Sequence, residues 1–289
     1  MKERSLVAFT LLSQMAVGAF WSLGWLRVWW ARQAGVAVAD PLVDHALLVV
    51  VPLMVLGLLV SFFHLGTPFN AWRAVANLRS SWLSREILFA LLFTGASGLF
   101  TGLHWLELGT SVAREVVAWV AALLGLALIT SMANAYRLRT VPAWNTGFTL
   151  TSFLTTALLL GGLAAGATLV VNPEVPSDLL ASSLQWIATV AISLLCVQLV
   201  TLLLWIAGLA VDPGAASRAA ARITHERRAI FRWRLALAVV GLVAMGVTLS
   251  PWGGGAKANV AIMLAFGLVL ASEVLGRLLF YEARVRHGV

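Results

Sequence analysis

Cysteine occurs once in this chain of 289 residues, at Cys196, and charged side chains make up only 11% of it. A lone cysteine excludes an iron–sulfur cluster held by this chain alone, since such a cluster takes about four cysteine ligands, and it leaves too few ligands for an ordinary structural zinc site. Scarce charge excludes a typical soluble domain, in which about 25% of residues are charged. Acids are scarcer than bases, 12 against 20, giving a formal net charge of +8. That excess does not point to nucleic acid, because no arginine-rich stretch sits in a soluble module able to embrace a duplex. Histidine is limited to His45, His64, His104, His225 and His287.

Apolar residues are abundant instead, at 61%, with a mean hydropathy of +0.92. Runs long enough to cross a hydrocarbon core of about 30 Å occur at roughly 6 to 26, 42 to 63, 86 to 106, 112 to 135, 146 to 171, 184 to 211, 231 to 249 and 258 to 281. The pattern predicts an all-α, polytopic membrane bundle of eight transmembrane helices, a single domain over residues 1–289, in contact with membrane lipid. The first span follows Lys2 and Arg4 as a signal peptide would, but it is long and lacks a small-residue cleavage site, so it is expected to be retained. Eight spans place both termini on one side. Of the 20 lysines and arginines, all but Arg27, Arg32, Arg114 and Lys257 then fall on that terminal side, which predicts cytoplasmic termini in a prokaryotic inner membrane. The same arginines also suit the docking of a soluble partner. Trp29, Trp30, Trp105 and Trp252 are expected near one interface and Trp72, Trp82, Trp144 and Trp233 near the other, as belt or packing residues.

The turn between the second and third spans carries the chemistry. It runs from Ser61-Phe-Phe-His-Leu-Gly-Thr-Pro to Ser84-Arg-Glu-Ile and puts His64 and Glu86 at one membrane boundary. A histidine and a carboxylate so placed are able to take the two protons that a membrane-dissolved hydroquinone loses on oxidation. Thr67 is expected as an N-cap with Pro68 at the first helical position of a short interfacial helix over Phe69–Leu78. Ser84 is expected to cap the third span, which would put Glu86 in its first turn and give it a second explanation, stabilisation by the helix dipole.

Other polar residues read more blandly. His45 and His104 lie at one depth, as an axial haem pair would, but interfacial hydrogen bonding explains them better; His225 and His287 lie in solvated basic segments. Glu273 and Arg277 are spaced to neutralise each other on the last span, a structural ion pair favoured over a proton path. Gln14, Asn134 and Gln198 are expected to bond between helices rather than to touch a quinone headgroup, and Gly161, Gly162 and Gly166 to admit close packing. Arg137, Arg139 and the arginines from Arg218 to Arg234 are expected at lipid headgroups or a partner.

The sequence resembles the membrane-anchor subunit family of dimethyl sulfoxide reductases, the DmsC family, over essentially its whole length. The resemblance is carried by Phe9-Thr-Leu-Leu-Ser-Gln-Met-Ala-Val-Gly in the first span, by His64-Leu-Gly-Thr-Pro with Ser84-Arg-Glu-Ile, by Tyr136 through Val141-Pro-Ala-Trp144, and by Ser272-Glu-Val-Leu-Gly-Arg-Leu-Leu-Phe-Tyr281. It implies an anchor without haem, metal or iron–sulfur cluster of its own, which oxidises menaquinol and passes electrons to a four-cluster iron–sulfur subunit serving a molybdopterin catalytic subunit in anaerobic respiration. In that family the matching histidine and glutamate are associated with quinol binding, which places the expected site on His64 and Glu86, with the adjacent Arg85 beside them. Two other classes stay open: a haem-b cytochrome-type anchor, and a secondary transporter, for which paired helix breaks in the two halves would be expected. A faint echo between Tyr136-Arg-Leu-Arg and Tyr281-Glu-Ala-Arg-Val-Arg hints at an internal repeat.

Overall fold

The computed structural model describes residues 2–62, 77–212, 214–251 and 254–285, and the regular structure among them is helical. Helices α1 (Lys2–Ala34), α2 (Val36–Leu47) and α3 (Val50–Phe62) come first, followed by α4 (Trp82–Trp105) and α5 (Ser111–Tyr136). Then come α6 (Gly147–Val171), α7 (Ser177–Val211), the short α8 (Ala215–Ala221), a π-helical turn (Arg222–Glu226), α9 (Arg228–Leu249) and α10 (Ala256–Glu282). Among the described residues 7 helices are long and apolar enough to cross a membrane. The remaining expected span, 42 to 63, is split into α2 and α3.

Proline explains the split. A proline four residues ahead leaves a carbonyl without its helical donor and collides with it. Pro52 stands in that relation to Leu48, and α2 ends at Leu47. The 13 residues of α3 rise only about 20 Å, too little to cross alone, so the second expected span corresponds to α2 and α3 together. Pro41 lies inside α2 as well.

The two most buried spans are α1 and α6, which cross at the centre of the bundle. A Cβ on Gly18 would fall on the backbone carbonyl of Ala157, and one on Gly161 would fall on the backbone of Gly18 and Ala19. The two helices therefore meet backbone to backbone, as small residues allow in helix pairs that gain nothing from expelling water. Of the other glycines expected to ease packing, Gly166 faces Ile262 and Ile187 at 3.3 and 3.4 Å, while Gly162 meets only Ser22 in ordinary contact.

Around this crossing the packing of the first four spans recurs in the second four. Helix α1 packs on α2 and α3 as α6 packs on α7; α4 pairs with α5 as α9 pairs with α10; and α1 touches α10 while α6 touches α5. Each half therefore ends with its last helix beside the first helix of the other. Tyr136 and Tyr281, at the ends of α5 and α10, are brought together by this arrangement.

The tryptophans divide by surroundings. Trp82, Trp105 and Trp233 are exposed at the bundle surface, as belt residues should be. Trp30 and Trp144 are buried and donate inward, Trp30 Nε1 to Ser183 Oγ at 2.9 Å and Trp144 Nε1 to the Phe280 carbonyl at 2.7 Å. Trp72 and Trp252 lie outside the described residues.

Candidate functional site

Helix α4 starts earlier than expected, at Trp82, and its N-cap is Ser81, whose Oγ accepts the Ser84 N–H at 3.2 Å. Ser84 is thus inside the helix, and the first turn holds no acid. Glu86 lies one turn further in and is 4% exposed. Capping does not account for it: the dipole's benefit is confined to the first turn, and a carboxylate within a membrane span carries a desolvation cost that an exposed first-turn acid avoids. Among the described residues no donor meets its carboxylate. Arg85 turns the other way. Its guanidinium donates to the carbonyls of Leu78 at 2.9 Å and Arg79 at 3.0 Å and lies 4.2 Å from the Trp82 ring centre, so it clamps the entry to α4. His64, and with it Thr67, Pro68, Arg73 and most of the expected interfacial helix, lies outside the described residues.

Two tyrosines stand at the ends of α5 and α10, and they are the only two in the sequence. Their hydroxyls lie 2.8 Å apart, and both are within electrostatic reach of Glu86. Thr10, on α1, comes within hydrogen-bonding reach of Tyr281. Tyr136 packs edge-on to Trp144 and Phe280, and Phe280 stacks on Trp144 at 5.4 Å. These rings fix the phenols so that hydroxyl meets hydroxyl. The arrangement is a buried carboxyl within electrostatic reach of a hydrogen-bonded pair of hydroxyls at the end of both halves. It can receive, hold and pass a proton. Sequence reasoning used the tyrosines only as a repeat marker; their scarcity and their matching places were the available signal.

Below the tyrosines a second polar group fills the interior. The expected Glu273–Arg277 ion pair does not close. Glu273 Oε2 instead accepts from Thr156 Oγ1 at 2.6 Å and Gln198 Nε2 at 2.9 Å. Arg277 donates to Gln14 Oε1 at 2.9 Å and places its guanidinium 3.9 Å from the Phe153 ring centre. Gln14 and Gln198 thus bond between helices as expected, whereas Asn134 donates within its own helix to the Thr130 carbonyl. Arg234, expected at the membrane surface, is only 5% exposed and lies inside. Gly276 makes room for it: a Cβ there would stand 2.6 Å from Arg234 Cζ. Gly276→Ala is therefore expected to lower the thermal stability of the detergent-solubilised protein by about 1–3 kcal/mol, as overpacking does. Gly267→Ala on the same helix, where a Cβ meets nothing within 4 Å, should raise it by up to about 1 kcal/mol; size-exclusion chromatography after graded heating measures both.

At the opposite end of the bundle His104 is buried with its Nδ1 3.1 Å from Asp44 Oδ1, and Arg27 pairs with Asp40 at 2.7 Å. His104 thus lies close to Asp44, but Asp44 Oδ1 and His104 Nε2 are buried without a hydrogen-bond partner among the described residues, so the expected interfacial hydrogen bonding is not seen at His104; the side chain of His45 lies outside the described residues. Among the surface arginines, Arg227 pairs with Glu282 at 2.9 Å and Arg222 with Glu226 at 3.5 Å, tying the π-helical turn to the end of α10. His225 lies there, beside Glu226, and His287 lies outside the described residues.

The model of the family described as DMSO reductase anchor subunit (DmsC) matches residues 1–283. The sequence is 28% identical over 293 residues to the anaerobic dimethyl sulfoxide reductase polypeptide YnfH of Escherichia coli, with 99% of this protein and 96% of that one covered. It is 27% identical to the C polypeptide of the anaerobic dimethyl sulfoxide reductase of the same organism, over 82% of this protein and 80% of that one. A shorter match, 32% identical over 45% of this protein and 44% of the relative, is to the C polypeptide of the sulfite dehydrogenase of Allochromatium vinosum.

Proposed function

Because this protein belongs to the DMSO reductase anchor subunit (DmsC) family, we propose that it binds and oxidises menaquinol at the turn before α4 and passes the electrons to an iron–sulfur subunit of a molybdopterin oxidoreductase complex. Its relatives, polypeptides of two reductases and of a dehydrogenase, support a place in such an assembly. The observation that carries the site is Glu86, buried with no donor among the described residues and within electrostatic reach of the Tyr136–Tyr281 hydroxyl pair. Menaquinol supplies two electrons and two protons when it is oxidised. His64 accepts one proton from a quinol hydroxyl, and Glu86 accepts the other. The paired phenols hold hydrogen-bond donors and acceptors beside Glu86, so that its proton has somewhere to go. Arg85, held by the Leu78 and Arg79 carbonyls, fixes the approach of the turn to α4. The electrons leave for the partner's nearest cluster, so the partner docks on the end of the bundle that carries this turn, among the exposed Arg137, Arg139 and Arg228.

The test is menaquinol-dependent reduction of copurifying iron–sulfur clusters, wild type against His64→Ala. The expected result is an assembled mutant complex in which quinol no longer reduces the clusters while an artificial donor that bypasses the membrane still drives the partner. Full quinol turnover in an assembled His64→Ala complex removes His64 from the mechanism. A complex with no quinol response even in the wild type overturns the reading as a whole.

A further inference from the structure

The proposed turn leaves the polar interior of the second half unused. Arg234, Glu273 and Arg277 line, with Ser152 and the rings of Phe148 and Trp205, a cavity of ≈ 10 Å³, room for about one water. Hydrogen-bonding capacity around it is unmet. Both donors to Glu273 go to Oε2, so Oε1 has no protein donor among the described residues. The Arg234 guanidinium, which lines the cavity, has no hydrogen-bond acceptor among them either; Gln198 Oε1, bound to Glu273 through its amide but outside the lining, is also buried without a partner among them. Polar groups that face a water-sized space with bonds still to make are the setting in which internal water is held. They also sit at membrane depth, where an ionisable residue is expensive and signals use.

One pair of rings separates this cavity from an open groove. Phe148 and Trp205 stack at 4.5 Å with 12° between their planes and line both the cavity and an open groove of ≈ 560 Å³. The groove also carries Arg139, Asn145, Thr146 and Asp212, at the end of the bundle where the tyrosines lie. In the other direction Arg277 is within electrostatic reach of both Tyr136 and Tyr281. Arg277 thus reaches the tyrosine pair electrostatically and lines, with Glu273, the cavity that the two rings separate from the groove.

We propose that Glu273 is a proton-exchanging site, joined to bulk water at the Arg139–Asp212 groove through the water-holding cavity beneath Phe148 and Trp205. A proton arriving from the tyrosine pair binds the Glu273 carboxylate; the carboxyl gives it up to water in the cavity, and water in the groove receives it. No bond other than these O–H bonds forms or breaks, and electrons take no part. The charged and titratable groups that face Glu273 are Arg277 on its own helix and Arg234 on α9; Thr156 on α6 and Gln198 on α7 hold its Oε2, and Gln14 on α1 holds Arg277. The inference rests on the quinol reading only for what delivers the proton. Exchange at Glu273 is measurable without it.

The first measurement uses the intact complex with no quinol: infrared difference spectra through a pH titration and on transfer to D₂O, wild type against Glu273→Gln. A carboxyl band that exchanges promptly on transfer to D₂O and is missing from Glu273→Gln is the expected result. A Glu273 carboxyl that does not exchange overturns the proposal. Should Glu273→Gln fail to assemble, Thr156→Val removes the 2.6 Å donor and identifies the band by its shift. The second measurement is menaquinol-driven cluster reduction against pH in H₂O and D₂O. Glu273→Gln is expected to slow it and to change both the pH profile and the solvent isotope effect, which a purely structural role would not do. An assembled variant with wild-type rate, profile and isotope effect also overturns the proposal. If the wild type shows no menaquinol response, the proposed function fails and the infrared result alone decides this site.

Discussion

Gly161→Val is expected to prevent assembly of the bundle. A side chain at Gly161 would fall on the backbone of Gly18 and Ala19, and one at Gly18 on the carbonyl of Ala157. Overpacking usually costs about 1–3 kcal/mol because neighbouring side chains yield. Here the obstacle is the backbone of the central helix pair, which cannot yield without separating α1 from α6. That crossing also holds the two halves together, so its loss would part Tyr136 from Tyr281 and Gln14 from Arg277. The measurement is recovery of membrane-inserted, partner-bound protein and its elution profile in mild detergent. Gly18→Val should fail in the same way, whereas Gly24→Ala, where a Cβ meets nothing within 4 Å, should assemble normally. Normal recovery of Gly161→Val would mean that α1 and α6 do not meet backbone to backbone.

The sequence made the fold class and most spans legible, because in a membrane the length and composition of an apolar run nearly determine what it can be. It was less informative where helices end. Ser81 and Ser84 are both plausible caps ahead of the same apolar run, and only the backbone at Ser81, extended with its Oγ on the Ser84 N–H, distinguishes them. That displacement of the cap changed the meaning of Glu86 from a first-turn acid to a buried one. Partner choice was similarly hidden. Glu273 and Arg277 have the spacing of an ion pair, yet each finds better-placed partners on other helices, Thr156 and Gln198 for the acid and Gln14 for the base. Helical spacing reports which residues share a face and says nothing of what that face meets.

Arg234 shows the same limit in charge. It stands in a run with Arg227, Arg228 and Arg232 that reads as one basic surface. Helix α9 nevertheless begins at Arg228, so Arg234 is nearly two turns in and points at α10, where Gly276 leaves the space for a guanidinium. A count of cations by loop assigns it to the surface; the glycine on another helix, far away in sequence, assigns it to the interior. Orientation arguments that rest on loop charge are weakened by two members, Arg234 and Arg277, which are both buried, and still retain a strong excess on the terminal side.

Glu86→Lys is expected to abolish menaquinol-driven electron flow while leaving the complex assembled. The substitution puts a cation where the proposed mechanism lands a proton. Glu86→Gln keeps the shape of the side chain and removes only its capacity to take a proton, so the quinol-driven rate should fall by about 10²-fold, the lower end of what a positioned acid or base contributes. In both variants artificial donors that bypass the membrane should drive the partner at the wild-type rate. Stability should be nearly unchanged in Glu86→Gln, because Ser81 and not Glu86 caps α4, and replacing a buried acid by an amide removes a desolvation cost without removing a bond to any described residue. This separates two roles that the sequence left joined. A Glu86→Gln complex that assembles poorly but turns over normally would make Glu86 a structural residue, whereas one that assembles fully and no longer responds to quinol makes it the proton acceptor.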